Sequence, residues 1–335
     1  MRILLISTDA LPTPPPRYGG NERVVALLAT ALGRAGHAVT VVARDDSPEG
    51  DGYTVARLPA GTDPLTAWPD AWWRQWDVVH DHGWRLVSWR LAARHPDRRW
   101  WMTWHGPRID DVVGWFPPVP PNLRIAGLTP SHALALAASL DVPVAVTPNA
   151  VDLGAYPLQA GPRSLPPLVL ARIDPAKGQH LARWLARQAG RDLLLAGTEH
   201  LGPDPAYVQA LLTRADGHRV EWLGDLGDEA KRWYLSQTQA VLWPAWGYEE
   251  PFGLGVLEAL AVGTPVLALA RGGIPDLLGR NSPMIRTSLA DLADALHQWD
   301  RTLRALPDPR ACRGIAGQWS VRRMLAAYET FWAAG

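Results

Sequence analysis

The chain has 335 residues, a length that suggests two domains, and its 47% apolar and 20% charged residues are the balance of an ordinary globular protein. Lys plus Arg and Asp plus Glu each total 33, so the net charge is zero, which argues against a general nucleic-acid binder. The single cysteine, Cys312, rules out an intrachain disulfide, any zinc site would need other ligand types, and no apolar run reaches the roughly 18 residues of a membrane span.

Residues 2–8, RILLIST, are a short apolar run ending in polar residues, which predicts a buried strand. The run is too short for the apolar core of a signal sequence, so a cytoplasmic enzyme or binding protein is expected. After a Pro-rich loop, residues 21–36 predict a helix capped by Asn21, with Glu22 in its first turn, Arg34 near its end and Gly36 to stop it. Residues 37–43 follow as a strand, completing a βαβ unit and implying a parallel sheet with a right-handed crossover. Further strands are expected at 77–82, 98–105, 124–130 and 143–149, with helices at 84–95 and 131–140. The Gly- and Pro-rich stretch 152–167 reads as a linker. A second series then places strands at 168–173, 192–197, 219–224, 240–245 and 265–270. Its helices fall near 177–189, 204–215, 228–238, 253–262 and 288–304, and an amphipathic helix closes the chain at 320–332. The class is α/β, with two βαβ-rich halves. Ligands of open parallel sheets bind beyond the carboxyl ends of the strands, so two such halves facing each other predict a cleft.

Three constellations carry chemistry. In RYGGNERV (17–24), Gly19 and Gly20 lead a loop into a helix N-terminus, where free N–H groups and the dipole favour an anion, although the GxGxxG fingerprint is absent. In ARIDPAKG (171–178), Arg172 and Lys177 project at the carboxyl edge of the second sheet, a fork and a point charge suited to a diphosphate. Only two residues of the chain, Lys177 and Lys231, are lysine, which singles out both against an Arg-rich background. In EEPFGLGVLEALAVGTP (249–265), Glu250 and Glu258 lie on either side of a turn carrying Gly253 and Gly255, which let a ligand approach the backbone. An acid inside the burying helix GVLEALAVG is costly unless it meets a polar partner, and a carboxylate suits a vicinal diol such as a sugar ring or a ribose. A glycosidase pair would also place two acids together, but leaves Arg172, Lys177 and the helix N-terminus without a role.

His80 and His82 share one face of a strand, and with His105 offer three imidazoles, without the carboxylate partner expected of a metal site. His105, in TWHGP, ends a strand at the cleft edge, within reach of a substrate hydroxyl, whereas His37 and His132 read as structural. The Trp-rich stretch 67–76 reads as a helix packed on the sheet, with an interfacial membrane contact as the alternative.

The runs GGNERVVALLATALGRAGHAVTVVA, DVVHDH, TWHG, TPNAVD, RIDPAKG, EPFGLGVLEALAVGTPVLALARGGIPDLL and the last helix occur in this order over almost the whole chain. Together they resemble a retaining GT-B glycosyltransferase of family 4. The two acids separated by seven residues in EPFGLGVLE are the most specific part of the resemblance, and the Arg172/Lys177 pair comes next. The resemblance implies two Rossmann-like domains, an acceptor-side domain at 1–157 plus 318–335 and a nucleotide-sugar domain at 158–317, with the final helix crossing back. It further implies that Arg172 and Lys177 neutralise the donor diphosphate, Glu258 holds the ribose hydroxyls and Glu250 the donor-sugar hydroxyls. Phe252, Gly253, Leu254 and Gly255 would line the sugar and phosphates, Gly20 would meet the phosphate from the first domain beside Gly19, and His105 would contact the sugar. No cofactor or metal is implied. The expected partners are a nucleotide sugar, UDP-hexose by default with GDP-mannose and ADP-glucose open, and a hydroxyl acceptor that is a glycan, a lipid-linked sugar or a small molecule. A contact with the inner face of the membrane stays open, and no nucleic acid is expected. A nucleotide-sugar 2-epimerase, a phosphorylase-like enzyme or a non-catalytic nucleotide-sugar binder are the alternatives. Two departures stand out: the family's Asn-Gly-Val-Asp element reads NAVD around Asn149, and the chain is short.

Overall fold

The computed structural model describes residues 1–107, 118–199, 205–212 and 220–334. The chain divides into two compact units, Met1–Ala150 with Val321–Gly335, and Val151–Ser320.

The first unit runs β1 (Arg2–Ile6), α1 (Gly20–Arg34), β2 (Ala38–Arg44), β3 (Tyr53–Leu58), α2 (Pro64–Ala67), α3 (Asp70–Arg74), β4 (Val78–Asp81), α4 (Val87–Arg94), β5 (Trp100–Thr103), β6 (Leu123–Gly127), α5 (Pro130–Leu140) and β7 (Val144–Val146). Its seven strands are ordered β3-β2-β1-β4-β5-β6-β7, and neighbouring strands pair parallel throughout. The central strands β1, β4 and β5 are almost wholly buried, and β4 takes His80 and Asp81 into the interior with its two valines.

The second unit runs β8 (Leu168–Leu170), α6 (Gln179–Gln188), β9 (Leu193–Ala196), α7 (Pro205–Leu212), β10 (Val220–Trp222), α8 (Asp228–Gln237), β11 (Val241–Trp243), α9 (Leu254–Ala261), β12 (Val266–Leu269), α10 (Ile274–Leu278), β13 (Ile285–Arg286), α11 (Leu289–His297), α12 (Trp299–Ala305) and α13 (Pro309–Gly317). Its strands are ordered β10-β9-β8-β11-β12-β13, again all parallel. The chain then returns to the first unit as α14 (Val321–Ala333), where Trp332 and Tyr328 bury themselves and Glu329 meets His37 at 3.2 Å.

Several elements differ from the sequence expectation. Edge strand β3 pairs only with β2 and its buried residues do not alternate, so no period announces it. The short elements α10, β13 and α13 were likewise not expected. The helix expected at 288–304 breaks at Gln298, whose backbone (φ −93°, ψ 37°) leaves the helical region between α11 and α12. Asn21 does not cap α1. Gly19 is the cap, and the Asn21 amide donates instead to the His82 carbonyl at 2.8 Å. Residues 204 and 213–215 of an expected helix and 219 of an expected strand lie outside the described residues. The stretch 152–167 belongs to the second unit and opens with a 3₁₀ turn at Leu153–Ala155.

In the Trp-rich stretch, Trp68 and Trp72 stack at 4.4 Å, Trp72 meets Trp73 and Trp76 edge-on, and the group packs on the core of the first unit. Among the described residues no helix is long and apolar enough to cross a membrane. Because Trp73 is fully buried while Trp184 on α6 is half exposed, Trp73→Ala is expected to cost about 3–5 kcal/mol in urea denaturation and Trp184→Ala no more than about 0.5 kcal/mol.

Candidate active site

The strand order of the second unit reverses direction between β8 and β11, the position where open parallel sheets hold ligands beyond their carboxyl ends. Three connections meet there. The loop after β8 carries Arg172 and, in a 3₁₀ turn at Pro175–Lys177, Lys177. The loop after β11 carries Tyr248, Glu249 and Glu250 and leads into α9. The loop after β12 carries Arg271 and Gly272. Close backbone approach holds them together. A side chain on Gly178 would come within 2.5 Å of the Pro244 carbonyl, so this glycine lets the Lys177 turn lie against the end of β11. Glu249 is exposed but accepts from the Gly272 N–H at 2.6 Å, while the Glu250 carbonyl accepts from the Gly273 N–H at 2.7 Å.

Lys177 and Glu250 were assigned to different parts of the ligand, and the fold bonds them to each other. Lys177 Nζ donates to Glu250 Oε2 at 2.7 Å with both side chains 12% exposed, and the ammonium also lies 3.7 Å from the centre of the Tyr248 ring. Burial and the Glu250 charge push the Tyr248 hydroxyl pKa well up, so the ring stays neutral. Arg172 donates from Nη2 to Asp174 Oδ2 at 2.6 Å, and its backbone carbonyl accepts from the Gln179 amide at 2.7 Å. Its Nε is buried without a partner among the described residues. Both cations therefore stand beside a carboxylate, and an anion entering this edge shares them with Asp174 and Glu250.

Glu258 lies in α9 and is 8% exposed. Its Oε1 accepts from Lys231 Nζ and from the Tyr156 hydroxyl, both at 2.6 Å. These are the polar partners that the buried acid demanded. Lys231 carried a sequence signal, its rarity; Tyr156 carried none, since a tyrosine among apolar residues looks like any core aromatic. Phe252 is buried edge-on to Trp319 at 5.1 Å, and Leu254 is half-buried at the first position of α9. The two glycines serve packing as well as approach. Gly253, the N-cap of α9, has φ +90°, a region that side chains resist. A Cβ on Gly255 would stand 2.8 Å from the Leu170 carbonyl, so its bareness seats α9 on the end of β8.

In the first unit Gly19 has φ +143° and packs on Pro15, and Gly20 opens α1. The N-terminal turn also holds a buried acid: Glu22 accepts from the Thr8 hydroxyl, and burial raises its pKa. That carboxyl faces the same end of β1 as the glycines assigned to a phosphate. His105 is half-buried just past β5 and shares a hydrogen bond of 3.0 Å between its Nε2 and His82 Nδ1. Trp332 donates its indole N–H to His80 Nδ1 at 2.9 Å, which leaves the His80 proton on Nε2, where it reaches Thr103 at 2.9 Å. Likewise the Leu128 N–H on His132 Nδ1 makes Nε2 the donor to the Gly106 carbonyl at 2.9 Å. Among the described residues, buried Asn149 Oδ1 has no hydrogen-bond partner. Among the described residues no group of three or more His, Cys, Asp or Glu is disposed to hold a metal ion.

Two parallel, doubly wound units of this kind, with the final helix returned to the first, are the GT-B fold. Residues 19–128 match the family described as glycosyl transferase 4-like domain, and residues 169–299 match glycosyl transferases group 1. Each unit thus carries a match to a glycosyltransferase domain, and with the GT-B fold this makes the chain a glycosyltransferase of the GT-B type. It is 26% identical to glycogen synthase of Mycobacterium tuberculosis over 369 aligned positions, covering 88% of this chain and 84% of that protein. The crystal structure of AviGT4, a glycosyltransferase involved in avilamycin A biosynthesis, is 27% identical with a TM-score of 0.77, covering 99% of this chain and 97% of the other. HepE from Anabaena, solved in complex with UDP-glucose, shares the fold at 17% identity and a TM-score of 0.71, covering 99% and 100%.

Removing one member of a buried ion pair strands the other. Lys177→Met is accordingly expected to destabilise the protein by about 2 kcal/mol, less than for a fully enclosed pair, and Lys177→Met with Glu250→Met to recover most of the loss in a double-mutant cycle. The imidazoles predict a pH dependence. Burial lowers the pKa of His80, His82 and His105 well below 6.5 and that of His132 to about 4. Between pH 6.5 and 5 the unfolded chain binds protons on these side chains that the folded chain refuses, so stability falls with pH. Asp81, raised to about 6, and Glu22, also raised, bind protons more readily when folded and offset part of this loss. Four imidazoles against two carboxyls leave a net loss, measurable as a lower urea midpoint at pH 5 than at pH 7.5.

Proposed function

We propose that the protein transfers a hexose from a nucleotide sugar, UDP-hexose in the first instance, to a hydroxyl acceptor with retention of anomeric configuration and without a metal ion. The observation that carries this reading is the convergence of Arg172, Lys177, Glu250 and Glu258 around the N-terminus of α9 at the switch point of the second sheet. Two cations and a row of free N–H groups suit a diphosphate, and the two acids suit hydroxyls on either side of it. The UDP-glucose bound by HepE and the glycogen synthase relative support a nucleotide-sugar donor and a hexose.

The hard step is cleavage of the bond between the anomeric carbon and the diphosphate oxygen. Negative charge grows on that oxygen as the bond breaks. Arg172, Lys177 and the dipole of α9 are fixed before the reaction and stabilise it without reorganising. Glu250, already bonded to Lys177, takes donor-sugar hydroxyls on its remaining lone pairs, which ties sugar placement to phosphate neutralisation. The acceptor hydroxyl attacks from the face the phosphate leaves, and its proton passes to the departing phosphate oxygen. His105 donates or accepts a hydrogen bond at a substrate hydroxyl, and Gly20, with Gly19, keeps its assignment to the phosphate.

Arg172→Ala is expected to lower kcat by about 10²–10³-fold, measured with the hexose derivative of whichever nucleotide most raises the melting temperature in a panel of UDP, GDP, ADP and dTDP. The product should keep the donor's anomeric configuration by NMR, and activity should survive EDTA. An inverted product, or epimerised sugar formed without an acceptor, would overturn the reading. Turnover unchanged in Arg172→Ala and Glu250→Ala would overturn the site.

A further inference from the structure

The only two lysines of the chain pair with the two acids that bracket the start of α9: Lys177 with Glu250, and Lys231 with Glu258. The first pair lies at the open edge of the sheet. The second is buried and reaches from α8 to α9, and its lysine, Lys231, has no assigned role.

Three features mark it as more than a core ion pair. Both donors fall on one oxygen: Lys231 Nζ and the Tyr156 hydroxyl each bond Oε1 at 2.6 Å, while among the described residues Oε2 carries no hydrogen bond. A buried pair that served stability alone would satisfy both oxygens, because desolvation is offset only when the remaining lone pairs are also bonded. The donor is lysine in a chain that otherwise uses arginine. A guanidinium fork binds both oxygens of a carboxylate, whereas an ammonium is a point donor that occupies one and leaves the other open. The tyrosine is itself held. Arg313 donates to the Tyr156 carbonyl and, from the same nitrogen, to the Ala261 carbonyl at the end of α9, and its other nitrogen bonds the Leu153 carbonyl at 2.9 Å. Tyr156 is thereby tied to the helix that carries Glu258. Asp228, one turn before Lys231 and 3.3 Å from its Nζ, steadies the ammonium from the other side.

We infer that Lys231 and Tyr156 are positioning residues that hold Glu258 by Oε1 so that Oε2 accepts from the ribose hydroxyls of the nucleotide. The inference rests on the proposed ribose contact of Glu258. It adds that recognition of the 2′-hydroxyl depends on two side chains that need not touch the ligand.

The test compares UDP with 2′-deoxy-UDP by calorimetry on the unaltered enzyme and on Glu258→Gln, Lys231→Met and Tyr156→Phe. The unaltered enzyme should bind UDP at least about tenfold more tightly than its 2′-deoxy analogue, the loss expected when a site's polar group is left unpaired. Tyr156→Phe and Lys231→Met should each bring the ratio below about threefold, while kcat at saturating donor changes far less than KM. If Lys231→Met fails to fold, Tyr156→Phe, which removes one oxygen and no charge, carries the test alone. A merely structural pair would lower the melting temperature and leave the ratio intact, and that result in folded variants overturns the inference while leaving the ribose contact standing. Equal binding of UDP and 2′-deoxy-UDP by the unaltered enzyme overturns the ribose contact itself, and the inference with it.

Discussion

Two lysine–glutamate ion pairs organise the second unit. Each joins α9 or the loop before it to a neighbouring element: Lys177 ties the loop after β8 to the loop after β11, and Lys231 ties α8 to α9. An acid in the shielded interior is destabilising alone and tolerable only beside a cation, so each pair constrains two elements at once. The consequence is that the N-terminus of α9, its free N–H groups and both acids occupy fixed places relative to the strand ends. Electrostatic stabilisation of a departing phosphate needs groups that are aimed before the charge appears.

Backbone contact does the rest. Gly178 lets one loop lie on the Pro244 carbonyl, and Gly255 lets α9 rest on the Leu170 carbonyl. Where the sequence alone suggested glycines cleared for a ligand, the fold uses the same bareness to bring helix, strand and loop within reach of one another. The two uses are compatible, since a loop that approaches a strand end closely also exposes its N–H groups there.

The first unit solves a different problem. Its buried imidazoles are kept neutral by desolvation and assigned their protons by neighbours: the Trp332 indole for His80 and the Leu128 amide for His132. The indole comes from α14, so the last helix of the chain sets the protonation pattern of the strand that carries His80. His132, expected to be structural, bonds backbone groups through both ring nitrogens. His37, also expected to be structural, is a surface-side partner of Glu329 on the same helix.

Much of this was legible in the sequence because it is local. Apolar runs separated by helical periods define parallel α/β units, Gly253 before an apolar helix marks its start, and an acid in that helix demands a polar partner. The proposed class of ligand, a diol joined to a diphosphate, rests on residue types at one strand edge. What the sequence could not supply was pairing. Nothing local tells Lys231 from a solvated helix cation, Tyr156 from a core aromatic, or Glu249 from a surface acid, because each acquires its role from a residue 27, 102 or 23 positions away, respectively. Edge strand β3 and the break at Gln298 escaped for a related reason, since neither carries a periodic signal of its own. The sequence by itself determined the elements, their class and the kinds of charge present. Only the tertiary structure decided which cation stands against which acid, because that choice depends on which strand ends the crossovers bring side by side.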